Sequence, residues 1–163
     1  MKDIIILFIL KITLQKEINT FSNYEIIRQT KIEANFFVDF SEKIVNGKVK
    51  IYFEAEEDGE VIILDTKALI IDSIIGSDTG EELEYKIDKY YKLEKMGVPL
   101  KIYKHYNKGN YVAILINYST TKDRIALDWL NPEQTFGKKY PFMYSQCQAI
   151  LAIELLAIHD TPQ

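Results

Sequence analysis

From Ser22 onward, apolar and polar residues alternate with a period of two. The clearest run is Lys48-Val49-Lys50-Ile51-Tyr52-Phe53-Glu54-Ala55. A pleated strand sends successive side chains to opposite faces, so this pattern builds one wet and one dry face. Ile32 to Phe40 reads as a preceding strand, with a turn predicted at Val45-Asn46-Gly47. Glu56-Glu57-Asp58-Gly59 predicts the next reversal, because these residue types favour turn conformations. Val61 to Asp65, Leu69 to Ile75, a stretch around Leu83-Tyr85-Ile87, Pro99 to Tyr103 and Tyr111 to Tyr118 continue the series. Gly76 to Gly80 and Asn107 to Asn110 punctuate it. Short strands at a spacing of roughly 8–12 residues predict an antiparallel sandwich or saddle. No long helical period precedes residue 140, and no repeat or Ser/Gly/Pro linker divides the chain, so one all-β, mostly antiparallel domain is expected.

Both ends break the pattern. Ile4 to Leu10 is an apolar run of seven residues, well short of the roughly 20 that a membrane span needs. It is also a weak secretory signal, since Asp3 offsets Lys2 and no small-x-small cleavage site follows. Residues 1–21 are therefore expected to be a leader on a cytoplasmic protein. An extracellular alternative remains, decided by sequencing the mature N-terminus. The tail from Gln148 to Ile158 is nearly all apolar. Short apolar runs do not separate a helix from a buried strand, so both stay open. Either one needs a surface to cover it.

Composition narrows the chemistry. The 163 residues are 47% hydrophobic and 27% charged, with a net charge of -4. No basic field exists to gather nucleic acid. Only Arg28 and Arg124 are arginines, so planar clamps for phosphate are few. The single cysteine, Cys147, excludes an internal disulfide and a multi-cysteine zinc site. Its neighbours are neutral glutamines, which predicts a buried, inert thiol. His105 and His159 stand apart, without the His-Glu-x-x-His spacing of a metal helix. No Gly-x-Ser-x-Gly elbow and no phosphate-cradling glycine loop is present. The acidic runs Glu56-Glu57-Asp58 and Glu81-Glu82 read as solvated turns. These residues offer no catalytic or metal-binding constellation.

The informative segment is Leu127 to Ile150. On a strand, Gln146 and Gln148 point to one face and Cys147 to the other. Paired carboxamides donate and accept hydrogen bonds without adding charge, which suits a peptide backbone or amino terminus. The same spacing equally describes two solvent-facing polar residues.

The run Trp129-Leu130-x-Pro132-Glu133-Gln134-Thr135-x-Gly137-Lys138, followed by Ser145-Gln146-Cys147-Gln148-Ala149-Ile150, resembles the leukotriene A4 hydrolase branch of the M1 zinc aminopeptidases. Upstream, Val38-Asp39-Phe40, Gly47-x-Val49, Glu54-Ala55-x-x-Asp58-Gly59, Leu64-Asp65-Thr66 and Tyr118-Ser119-Thr120 fit in order, and Asp160-Thr161-Pro162 closes the match. The resemblance covers residues 22–163. It implies a saddle-like β-sandwich N-terminal domain packed against a thermolysin-like catalytic domain, which supplies the zinc ligands and the general base. By position, Gln146 and Gln148 correspond to cleft-lining glutamines that hydrogen-bond the substrate's N-terminal region.

Two departures stand out. The family's His-x-Arg stretch after the glutamines is replaced by Leu151-Ala152-Ile153, removing a forked cationic donor. The Gly-x-Met-Glu-Asn loop, the zinc helix and the distal glutamate ligand would all lie beyond Gln163. The expectation is therefore a domain truncated at its C-terminal end, which holds no zinc itself and positions peptide substrate for a separate catalytic domain. A stand-alone β-sandwich interaction module, meeting another chain through the apolar tail, is the alternative.

Overall fold

A computed structural model describes residues 20–88, 97–122, 124–148 and 150–159. The expected leader up to residue 19 and the Asp160-Thr161-Pro162 segment lie outside the described residues. Among the described residues the strands are β1 (Ile27–Asp39), β2 (Ile44–Ala55), β3 (Gly59–Thr66), β4 (Leu69–Gly76), β5 (Tyr85–Ile87), β6 (Val98–Tyr106), β7 (Tyr111–Thr120), β8 (Leu127–Leu130) and β9 (Phe142–Ser145). Short 3-10 turns occupy Pro132–Gln134 and Leu151–Glu154.

Every strand pair is antiparallel. A four-stranded sheet runs β1-β2-β7-β4, a three-stranded sheet runs β3-β6-β5, and β8 pairs with β9 alone. The two larger sheets bury their apolar faces against each other. Val49, Ile51 and Phe53 of β2, with Ile114 and Ile116 of β7, meet Ile62 and Leu64 of β3 and Leu100 and Ile102 of β6. The alternation in the sequence is thus the alternation between core and solvent, and the all-β sandwich expectation is borne out. In β4 the apolar residues Ile71 and Ile74 are both buried despite odd spacing. A register shift between Ile71 and Ser73 inserts Asp72 and restores the inward phase.

One expected turn is displaced. Val45-Asn46-Gly47 lies inside β2, and the chain reverses at Phe40 to Lys43 instead. There Asp39 Oδ1 accepts the Ser41 and Glu42 amides, each at 2.9 Å, and Lys43 takes a left-handed φ of 55°. Gly47 is needed in the strand for room. It faces Tyr118 across the β2–β7 ladder, and a Cβ there would overlap the Tyr118 ring. Gly59 stands in the same relation to Tyr106 in the other sheet. Both rings are buried, and both hydroxyls find carbonyls: Tyr118 donates to Leu155 at 2.5 Å and Tyr106 to Val61 at 2.8 Å.

The apolar tail is neither a regular helix nor a buried strand. After the 3-10 turn at Leu151–Glu154 it extends, and Ile158 bridges Asp65 through reciprocal backbone bonds of 2.8 and 3.1 Å. His159 N–H then reaches Gln29 Oε1 of β1 at 3.4 Å. Pairing with the edge of β3 overrides local preference, and the tail closes the side of the sandwich between β3 and β1. Ile153, Ala157 and His159 are buried.

The imidazole of His159 packs 5.5 Å from the Phe53 ring, and both ring nitrogens are buried away from water. Burial, opposed weakly by the Ile63 backbone, pushes its pKa down to about 4. Between the ordinary value near 6.5 and that depressed value, the unfolded chain takes up a proton that the folded chain refuses. Stability should therefore fall by about 2 kcal/mol from pH 7 to pH 5. Urea unfolding at the two pH values checks this: His159→Leu should flatten the slope, and an unchanged slope in the variant would refute the assignment.

Gly47→Ala gives a second check. A strand glycine replaced by alanine ordinarily gains up to roughly 1 kcal/mol. Here overlap with Tyr118 should instead cost about 1–3 kcal/mol. Unfolding of Gly47→Ala, Tyr118→Leu and the double variant should show strong non-additivity, with the double variant less destabilised than the sum.

Candidate functional site

The glutamine-bearing segment sits on the β8–β9 ribbon. Between the strands, Pro132 opens a 3-10 turn whose ends are fastened locally. Gln134 N–H donates to the Asn131 carbonyl at 2.9 Å, and Asn131 N–H donates to Gln134 Oε1 at 2.9 Å. Thr135 Oγ1 lies 2.9 Å from the Pro132 carbonyl and 2.8 Å from that of Tyr140, drawing the loop closed. Positive φ at Gly137 and Lys138 turns the chain back. The family-like Pro-Glu-Gln-Thr-x-Gly-Lys run is therefore a hairpin loop that sets the register between β8 and β9.

That register pairs Leu127 with Ser145, Asp128 with Tyr144, Trp129 with Met143 and Leu130 with Phe142. The ladder continues one step further, since Gln146 N–H donates to the Ala126 carbonyl at 2.8 Å. Pairing then ends. Gln146 Oε1 accepts the Gln148 amide at 3.4 Å, and Gln148 lies in a turn. Both glutamines are exposed and Cys147 is half-buried. The Gln146 carboxamide thus meets the backbone of Gln148, and the two residues stand on a strand end and a turn rather than along one continuous strand. The thiol is less buried than expected.

Alternation puts Asp128, Leu130, Phe142, Tyr144 and Gln146 on one side of the ribbon. Tyr144 donates to Asp128 Oδ2 at 2.6 Å, and Asp128 Oδ1 accepts the Trp129 amide at 2.8 Å. These bonds, the phenol first, hold the Asp128 carboxyl below the usual carboxylate range, while the same bond raises the Tyr144 phenol. On the reverse side Leu127 is buried. Trp129 meets Phe40 edge-on at 5.6 Å and lies 5.5 Å from the Arg124 guanidinium. Phe136, Tyr140 and Phe142 are exposed at the loop end of the ribbon, and Tyr144 is exposed two residues before Gln146.

Behind the ribbon lies a buried carboxylate. Glu154, in the 3-10 turn just after the glutamines, is 1% exposed. Its Oε2 accepts the amides of Ile125 at 2.7 Å and Ala126 at 2.9 Å, and its Oε1 meets Lys67 Nζ at 3.0 Å. Burial alone would raise this carboxyl, but the Lys67 bond, the two amides and the Lys67 charge outweigh it and lower the pKa.

The sequence singles out Gln146 and Gln148, and the structure brings them together. It keeps the two histidines apart: His105 is exposed and bonded through Nδ1 to Glu60 at 2.9 Å, whereas His159 is buried in the tail. Asp128, Tyr144 and Glu154 are not among the residues that the sequence singles out. Counting the hairpin register pairs the first two. Glu154 carries its own signal as the single charge in Ala149 to Ile158. Among the described residues no group of three or more His, Cys, Asp or Glu is placed to hold a metal ion. The donor set described does not fit zinc, and no step through a metal is assigned to it.

Residues 30–163 match the peptidase M1 N-terminal domain. The chain is 38% identical over 157 residues to a leukotriene A-4 hydrolase homolog of Botryotinia fuckeliana, covering 93% of this chain and 24% of that protein. It is 39% identical over 155 residues to leucine aminopeptidase 2 of Aspergillus fumigatus, covering 93% of this chain and 25% of that protein. The structure of yeast leukotriene A4 hydrolase in complex with bestatin superposes with a TM-score of 0.80 at 26% identity, over 92% of this chain and 23% of that one. The chain thus spans about a quarter of the length of the curated relatives it matches. With motif order, sandwich topology and family match in agreement, this chain belongs to the M1 peptidase family as its N-terminal domain.

Proposed function

We propose that this domain forms one wall of a peptide groove, with Gln146 and Gln148 hydrogen-bonding the N-terminal region of a peptide substrate. The metal-holding wall belongs to an M1 catalytic domain. The observation that carries this reading is the exposure of both glutamines at the end of β9, with the exposed Tyr144 on the same side of the ribbon as Gln146. Neutral donors and acceptors there match a peptide's backbone without favouring one side chain. A catalytic domain that held zinc would supply the Lewis acid and the activated water. The residues of this chain orient the peptide and exclude water from that wall, and by themselves hydrolyse nothing.

Docking of the catalytic domain is assigned to the aromatic side of β8–β9. Two of the tail's apolar side chains, Ile153 and Ala157, are already covered by this domain. The exposed Phe36, Phe37 and Phe40 at the turn end of the β1–β2 hairpin support a second reading, a free-standing module that binds another protein. Isolation of a stable complex with a chain other than an M1 catalytic domain would favour that alternative.

Titrating the labelled chain with a short unblocked tripeptide should shift the side-chain NH2 resonances of Gln146 and Gln148. Gln146→Ala should weaken binding about three- to tenfold, the worth of one net hydrogen bond. The purified chain should release no product from aminoacyl-anilides. Chelator-sensitive turnover, or peptide shifts that avoid both glutamines, would overturn the proposal.

A further inference from the structure

We propose that Glu154 is the positioning residue of the glutamine-bearing segment: its buried carboxylate clips the lead-in of β8 to the turn that comes after Gln148, and so fixes where Gln146 and Gln148 stand. The functional sense of this role rests on the peptide-groove reading.

The geometry is a closed loop. Ala126 is tied through both of its peptide groups: its N–H donates to Glu154 Oε2 at 2.9 Å, and its carbonyl accepts Gln146 N–H at 2.8 Å. Residues 146–154 therefore leave Ala126 at one end and return to it at the other. The Ile125 amide, 2.7 Å from the same oxygen, makes the grip two-pronged. The second oxygen is taken by Lys67 at the β3–β4 reversal, 3.0 Å away, which ties the loop to the sandwich.

Charge-assisted bonds to backbone amides are shorter and stronger than neutral ones, and the carboxylate that accepts these is itself only 1% exposed. Within the loop itself, Gln148 N–H reaches Gln146 Oε1 only at 3.4 Å. Local bonding is thus too weak to set the two carboxamides, and the anchor behind them has to. Glu154 touches neither glutamine and acts only through Ala126 and the backbone.

The test is 15N relaxation on the full labelled chain, comparing wild type with Glu154→Leu, which removes the acceptor altogether, Lys67→Met and the double variant. Removing the carboxylate alone strands the Lys67 ammonium, so the double variant keeps the test usable if the single one fails to fold. In the folded variants lacking Glu154, order parameters at Gln146 to Gln148 should drop from rigid values near ~0.85 to below ~0.6, while Ile51 and Ile114 stay rigid. Lys67→Met alone should leave the glutamines ordered, because the amide grip remains.

In the wild type, the Ile125 and Ala126 amide shifts should track one carboxyl titration, a signature that general destabilisation would not give. Rigid glutamines in a folded chain lacking Glu154, or equal loosening in Lys67→Met, would overturn the clip. Tripeptide binding should weaken several-fold in Glu154→Leu. A wild-type chain that ignores tripeptide would overturn the groove reading and this role with it, and the relaxation data would separate that failure from failure of the clip.

Discussion

A carboxylate withdrawn from water must find donors to replace its hydration, and Glu154 finds them in segments far apart in sequence. Satisfying that one charge fixes three things together: the reversal between β3 and β4, the entry to β8 and the turn after the glutamines. Apolar burial cannot do this. Hydrophobic contact is non-directional, so Ile153 and Ala157 hold the tail against the sandwich without setting its angle. The carboxylate and the Asp65–Ile158 bridge supply direction, and the ribbon inherits its orientation from them.

The tail therefore has two roles. It closes the sandwich between β3 and β1 by bridging Asp65 at the edge of β3, and it back-stops the ribbon. Tyr118 couples the two. Its ring fills the space left by Gly47 in the middle of the large sheet, and its hydroxyl ends on the Leu155 carbonyl next to Glu154. The core of the sandwich and the back of the candidate site thus share a residue.

The fold is legible because burial and period coincide. In β2 and β7 every second residue is buried, and the sequence alternates accordingly. Where a tertiary demand outweighs local chemistry, local composition misleads. Asn46-Gly47 has turn composition but serves as a strand, because its glycine makes room for a ring contributed by β7. The tail has the composition of a helix or a core strand, yet it takes a 3-10 turn and a single bridge, because Asp65 is there to pair with it. Gln146 and Gln148 are legible through spacing and family resemblance. The support beneath them is not, since it depends on which distant amides lie within 3 Å of one carboxylate. A lone charge in an apolar run is nevertheless a visible mark, as buried glutamates are rare unless paired.

A neutral wall makes a particular demand on its scaffold. Each carboxamide contributes only about 1 kcal/mol per net hydrogen bond, and a long side chain loses comparable rotamer freedom when it is fixed. Two such groups discriminate only if the backbone that carries them is already in place, since any further ordering on binding would cancel the gain. Charge on the wall itself would bind more strongly but would select for ligand charge. In this domain the strong electrostatic bond is set behind the wall, where it orders backbone amides and meets no ligand, and the front is left to neutral groups. The apolar turn after the glutamines fits the same division: Ile153 is buried, and its neighbour Glu154 takes the charge inward.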